Sequence, residues 1–414
     1  MPSKRSVAAC LPIAWLSVAC SLIVFLSARP ADAALLSVDT ADRQAAVAFY
    51  HSQYASGVGT RLEWITGTAP CDPGYTTATY QNAVLDRVNY FRAMAGVPAV
   101  TLNATYTRKA QAAAYLMGVN ARSSHAPDAS WTCYSQDAYD GASRSNLFLY
   151  QSGLEAIDGY VRDDGPHNGA IGHRRWILHP PTKQIGVGDV PAGVTRESAN
   201  ALYVIDNGFS GAQPAARDGF VAWPPPGYVP YDVAYPRWHF SQQGVDLSAA
   251  SVSLTLNGQS VPVQVESRGA EYNLGYIGWR VNNMANSESF PRPTADQPYR
   301  VTIQNARIGG VAQSIAYEVT LIDPGVTIPG DANFDGVVDA ADYTAIRDGI
   351  GTEFTAADLL TWRFAYGNRT AEPAATAPEP TAAGLLLAAL AAAPAWGRVG
   401  SRRPPFRPRR FELR

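Results

Sequence analysis

Between residues 79 and 188 apolar positions recur at helical spacing. Val84, Val88, Phe91 and Ala95 fall at i, i+4, i+7 and i+11 and make one stripe on a helix. Tyr106, Ala110, Ala113, Ala114 and Met117 make a second stripe, and Leu154, Ile157 and Val161 a third. Ile185-Gly-Val-Gly and Ala201-Leu-Tyr-Val-Ile read as strands that close this region. Helices alternating with strands predict an α/β layered fold over residues 79–210. The period then changes. Beyond the rigid Trp223-Pro-Pro-Pro-Gly-Tyr stretch, a natural boundary, Ser251-Val-Ser-Leu-Thr-Leu, Val261-Pro-Val-Gln-Val, Tyr299-Arg-Val-Thr-Ile and Ala316-Tyr-Glu-Val-Thr-Leu alternate with period two. Asn257-Gly258 between the first two is a hairpin turn. Several short strands between turn residues predict a β-sandwich of immunoglobulin-like size over residues 211–326.

Residues 327–368 form a third region with an internal repeat. Ala340-Ala341-Asp342 recurs as Ala356-Ala357-Asp358, and Arg347 as Arg363. Asp331, Asn333, Asp335, Asp339 and Asp342 occupy positions 1, 3, 5, 9 and 12 of an EF-hand loop, with Gly336 at the sharp turn. Val337 would add a backbone carbonyl, so calcium is the expected cofactor. Asp rather than Glu at the last position, followed directly by a helix over 340–348, resembles a dockerin module, a family with two such loop–helix units. Here the second loop is degenerate: its positions 1, 3 and 5 would be Arg347, Gly349 and Gly351, which cannot ligate. One calcium site is expected, and a cohesin-like partner is in doubt. Thr355 and Asp358 can form a capping box for the second helix, which should pack Leu359 and Trp362 against the first.

The termini point outside the cytoplasm. Lys4 and Arg5 precede an apolar stretch over 7–26, and Ala31-Asp32-Ala33 offers a cleavage site, so residues 1–33 read as a signal peptide; an uncleaved anchor is the alternative. After a linker over 369–380, Pro378-Glu379-Pro380 leads into an apolar run and an arginine cluster over 381–414. This resembles a PEP-CTERM sorting tail, which implies transient membrane anchoring by a transmembrane helix and then cleavage; a plain C-terminal anchor is the alternative. Cys10 and Cys20 leave with the leader. Cys71 and Cys133 remain as an even pair in an oxidising compartment and should form a disulfide, against the alternative of two buried thiols. Charge is nearly balanced, with 33 Lys and Arg against 35 Asp and Glu, so no basic face suggests nucleic acid.

The first region resembles the CAP superfamily (cysteine-rich secretory proteins, antigen 5, pathogenesis-related 1; also SCP). The matching residues are Val88-Asn89-Tyr90-Phe91-Arg92, Ser124-His125, Ser145-Asn146-Leu147, Gly172-His173-Arg174-Arg175-Trp176-Ile177-Leu178 and Ile185-Gly186-Val187-Gly188. The resemblance implies an α-β-α sandwich whose cleft holds two histidines and two acids. The histidines map to His125 and His173 and one acid to Asp163. The other acid is replaced by Ser145, beside the matching Asn146. Two neutral imidazoles could bind zinc in an open site, with carboxylates orienting them. Loss of one carboxylate argues against a demanding hydrolytic mechanism. His167 reads as a loop residue, and His179, before Pro180-Pro181, as structural.

The expected whole is an extracellular or cell-surface CAP-like protein, more a binder than an enzyme, with a lipid or small apolar ligand in the cleft. The alternatives are an extracellular hydrolase, either a peptidase or a component of a polysaccharide-degrading assembly, and a purely structural envelope protein. No Gly-x-Ser-x-Gly, His-Glu-x-x-His or phosphate-binding loop is present.

Overall fold

The three apolar stripes all become buried helix faces. The computed structural model describes residues 36–281, 284–285, 289–325, 328–334, 337–351 and 354–369. The expected signal peptide and sorting tail lie outside them. Among the described residues no helix is long and apolar enough to cross a membrane. Residues 36–325, with 333 and 334, make one compact unit, and 328–332 with 337–369 a second.

The chain starts with α1 (Arg43–Phe49), capped by Asp42, whose carboxylate accepts the Gln44 and Ala45 N–H groups. Short strands β1 (Trp64–Ile65) and β2 (Tyr75–Thr76) pair before α2 (Ala78–Met94), which Thr77 caps. Then follow β3 (Thr101–Leu102), α3 (Ala104–Asn120), α4 (Gln136–Ser143), β4 (Ser145–Leu149), α5 (Leu154–Arg162), α6 (Gly172–Ile177), β5 (Gln184–Val190) and β6 (Ala199–Tyr203). The sheet runs β3-β5-β6-β4, with β3 parallel to β5 and the other pairs antiparallel. Ile185, Val187 and Leu202 share a core with Val84, Val88 and Phe91 of α2 and Ile157 of α5. Ala201, Tyr203 and Val190 share the other core with Ala110, Ala113 and Met117 of α3 and Ala142 of α4. The α-β-α layering expected of a CAP domain is therefore present. Two glycines set its spacing. A Cβ on Gly186 would lie 2.2 Å from the Tyr106 carbonyl carbon, and one on Gly188 2.1 Å from that of Ala110. Helix α3 lies directly on the β5 backbone, and Tyr106 stacks on Tyr203 at 4.3 Å.

Cys71 and Cys133 form the expected disulfide, with Cα atoms 5.0 Å apart and the two residues 62 positions apart in sequence. It ties the β1–β2 loop to the segment after α3.

The next strands are β7 (Val221–Trp223), β8 (Gly227–Pro230), β9 (Arg237–Gln243), β10 (Val245–Asp246), β11 (Ser251–Leu256), β12 (Gln259–Val261), β13 (Val263–Glu271), β14 (Leu274–Val281), β15 (Gln297–Ile308) and β16 (Val311–Ile322). They form two sheets. One runs β12-β11-β15-β16-β8, with β10 on β15; the other runs β13-β14-β9-β7. The only parallel pair here among the described residues is β16 with β8. Trp238 and Phe240 of one sheet meet Tyr299 and Tyr317 of the other at 5.7 and 6.4 Å. Asn257-Gly258 makes the expected turn, with φ of 50° and 79°. The run Val261-Pro-Val-Gln-Val is not one strand, however. Pro262 lacks the N–H a ladder needs, and the chain passes there from the β12 edge of one sheet to the β13 edge of the other.

The proline stretch does not separate two cores. Trp223 is fully buried and meets Phe91 of α2 edge to face at 5.1 Å. One continuous cluster runs from Val84 through Trp223 to Val301 and Leu321. The two ends of this unit are clasped. Arg43 pairs with Asp296 at 3.1 Å and donates to the Asp323 carbonyl, while His51 Nε2 donates to the Pro324 carbonyl at 2.9 Å.

In the second unit, α7 (Ala340–Gly349) and α8 (Ala356–Ala365) each begin with a capping box. Asp342 accepts the Asp339 N–H at 2.7 Å and Asp358 the Thr355 N–H at 2.7 Å. Trp362 sits 5.0 Å from the Tyr343 ring and donates through Nε1 to the Asp339 carbonyl. The helix pair and its tryptophan contact match the sequence reading.

Candidate functional site

The cleft is built around the turn from α5 to α6. Helix α5 ends at Asp163 in the left-handed region (φ 53°), and α6 is entered through Ile171, also left-handed (φ 54°). For a β-branched residue that conformation is an outlier, tolerated only where the surroundings hold it. Ile171 is buried, with its side chain against Gly278 of β14. The two reversals bring Asp163 and His173 together. His173 Nδ1–H donates to Asp163 Oδ1 at 2.8 Å, and Asp163 Oδ2 accepts the Arg174 N–H. Because the partner is a carboxylate, the proton sits on Nδ1 and the Nε2 lone pair is left for a ligand.

Asn146 Nδ2 donates to the His173 carbonyl at 3.0 Å, tying β4 to α6. The Asn146 Oδ1 and Ser145 Oγ atoms are buried without hydrogen-bond partners among the described residues. Tyr160 on α5 lies 5.5 Å from the His173 ring and donates through its hydroxyl to Asn200 Oδ1 at 2.8 Å. Asn200 Nδ2 donates in turn to Asp189, which also accepts Gly153 N–H and Tyr80 OH. Burial pushes the Asp189 carboxyl up to about 7 against these stabilising donors. The sequence reading gave no role to Tyr160 or Asp189. A lone carboxylate inside the apolar β5 run was the available signal for the second.

Phe148, Tyr160, Asp164, Asn168 and His173 are among the residues that line the resulting cleft, whose volume is about 320 Å³. Gly159 lets the Phe148 ring lie on α5, since a Cβ there would meet it at 2.7 Å.

His125 is placed differently. It is exposed after α3, and its Nδ1–H donates to the Ala142 carbonyl at 2.9 Å. It is not among the residues lining the His173 cleft. His167 is exposed in the loop, as expected. His179 is buried, with Nε2 donating to the Phe209 carbonyl, and burial holds its pKa down.

Two motif arginines serve the scaffold. Arg92 spans the Pro98, Ile177, His179 and Thr182 carbonyls, and Arg174 those of Val161, Arg162 and Arg237. Both are fully buried, and desolvation brings each guanidinium down to about 9. Arg237 on β9 donates to the Asp163 and Gly165 carbonyls and pairs with Glu266. The β-rich region thus braces the loop that carries the site acid.

In the second unit Asp331 and Asp342 are buried, and Asp342 accepts the N–H groups of Ala332 and Asp339. Asp339 accepts the Ala341 N–H as the α7 cap. Asn333 and Val337 are described; Asp335 lies outside the described residues. Among the described residues no three His, Cys, Asp or Glu side chains converge as a metal site would.

Residues 85–205 match the model of the CAP family, the cysteine-rich secretory protein family. The match runs from the middle of α2 to just past β6 and includes Asn146, Asp163 and His173. No curated protein matches the chain.

Proposed function

We propose that the chain is an exported CAP-domain protein that binds a small, largely apolar ligand with one polar end. The observation that carries this reading is the mixed lining of the cleft. Phe148 and Tyr160 offer aromatic surface beside His173, which Asp163 holds, and Asn168 and Asp164 belong to the same lining. Such a surface favours a lipid-like molecule whose headgroup meets the imidazole. Ser145, in place of a carboxylate and buried, supplies no general acid, so binding is favoured over hydrolysis. Mass spectrometry of lipids copurifying with the mature protein is the test. A species lost in Phe148→Asp supports the reading; an equal lipid content in the variant overturns it.

The same imidazole suits zinc, because Asp163 fixes its tautomer with Nε2 outward. The second proposed ligand is His125, an exposed residue outside the cleft lining that would have to swing its imidazole toward His173, with water completing an open site. Calorimetry at neutral pH should show weak zinc uptake that fades as pH falls through the imidazole range. Equal uptake by a His125→Ala/His173→Ala variant would rule the site out.

For the loop over 331–342 we propose one calcium ion on Asp331, Asn333, Asp335, the Val337 carbonyl and Asp342, with Asp339 reached through water. All are hard oxygen donors, and position 9 of such loops is commonly water-mediated. Trp362 fluorescence in the full chain should change on calcium addition and reverse with EGTA; no response in the wild type would refute the site. Export and tail removal follow from the terminal segments. Surface material still carrying residues 385–410 by intact mass would leave a simple anchor instead.

A further inference from the structure

We infer that a second cleft, at the tip of the β13–β14 hairpin, binds an uncharged sugar unit. Three two-residue hairpin turns of the β-rich region place both central residues in the left-handed region: Asn257-Gly258, Gly309-Gly310 and Tyr272-Asn273. The first two use the residues that tolerate that conformation. The third puts a bulky aromatic at φ 50°, where a side chain is strained. A turn alone does not require tyrosine there. Strain kept at one position points to what the side chain presents.

Tyr272 is 48% exposed. Its ring packs edge on against the buried Phe209 at 4.8 Å, which fixes its orientation and leaves part of it to solvent. Beside it opens a cleft of about 400 Å³, lined by Tyr272, Phe209, Ser210, Gln213, Gln243 and Asn273. No carboxylate, amine or guanidinium lines this cleft. Gln213 Nε2 reaches the Tyr272 carbonyl, while its Oε1 is buried with no hydrogen-bond partner among the described residues. That atom has no exposed surface, so what the cleft offers a ligand is the Tyr272 ring and the exposed neutral amides of Gln243 and Asn273. An aromatic face beside neutral amides suits the apolar ring face and equatorial hydroxyls of a pyranose. This cleft is separate from the His173 cleft and shares no lining residue with it.

The test uses the full chain with cellotriose, maltotriose and N,N′,N″-triacetylchitotriose as probes at millimolar concentration. Saturation-transfer NMR should report binding of at least one of them. Tyr272→Gly relieves the turn, so its melting temperature should not fall, yet binding should weaken about tenfold or more. Gln243→Leu, which keeps volume and removes an exposed lining amide, should weaken binding similarly. If none of the three sugars binds the wild type, or if both variants bind as well as it does, the inference fails.

Discussion

Arg174 shows how much of the motif around the site is scaffold. Its guanidinium is fully buried and holds carbonyls of Val161, Arg162 and Arg237, binding the end of α5 to β9. Arg174→Met keeps much of the volume but strands these acceptors. Each buried unmet group costs about 1–3 kcal/mol, so the variant should lose about 3–5 kcal/mol in urea unfolding. Asp189 makes the complementary pH prediction. Burial raises its folded pKa to about 7, above the unfolded carboxylate value. A group raised on folding contributes stability that is full below the unfolded pKa and is lost as pH rises through the folded one. The contribution of Asp189 should therefore decline from about pH 4 to about pH 7. Denaturation midpoints measured across that window should show a slope that Asp189→Asn flattens. The sequence disclosed His173 and Asp163 through a specific motif. It could not disclose Tyr160 as their neighbour, because an aromatic on a helix stripe reads first as core.

At the scale of elements, close backbone approach decides the packing. Gly188→Ala would drive a Cβ into the backbone of α3 at Ala110, not into a yielding side chain. The expected loss is about 1–3 kcal/mol or more, read as a lower melting temperature, with the far-UV spectrum retained. Helices α2, α3 and α5 were legible because apolar residues recur in each at helical spacing, even though α2 is buried all round from Arg87 to Met94; α1 and α4 carry no such stripe in the sequence reading. Strand β14 was not legible: Leu274-Gly-Tyr-Ile-Gly-Trp-Arg-Val is buried almost throughout, so no alternation marks it. Strand β9 was hidden by its own functions, since Arg237 and His239 are polar yet buried. The switch at Pro262 was missed because a period-two pattern says nothing about which sheet a strand joins.

For the whole molecule, the family match ends at residue 205 while the core does not. Phe91 needs Trp223, and Asp163 and Arg174 need Arg237. A fragment of residues 79–210 should consequently lack a cooperative melting transition, whereas residues 36–325 should unfold in one step. Calorimetry of the two fragments checks this, and a sharp transition in the shorter one would show that the β-rich region is dispensable.

The clasp of Arg43 on Asp296 and Asp323, with His51 on Pro324, brings the first helical segment beside the finish of residues 36–325. Chain order within that unit is therefore interchangeable. A circular permutant that joins residue 325 to residue 36 through a flexible linker and opens at Gly309-Gly310 should fold to the same structure, because the new opening falls at an exposed turn and α1 already sits against the end of the unit. Its near-native melting temperature would mean that the topology, rather than the position of the ends, carries the information for this fold.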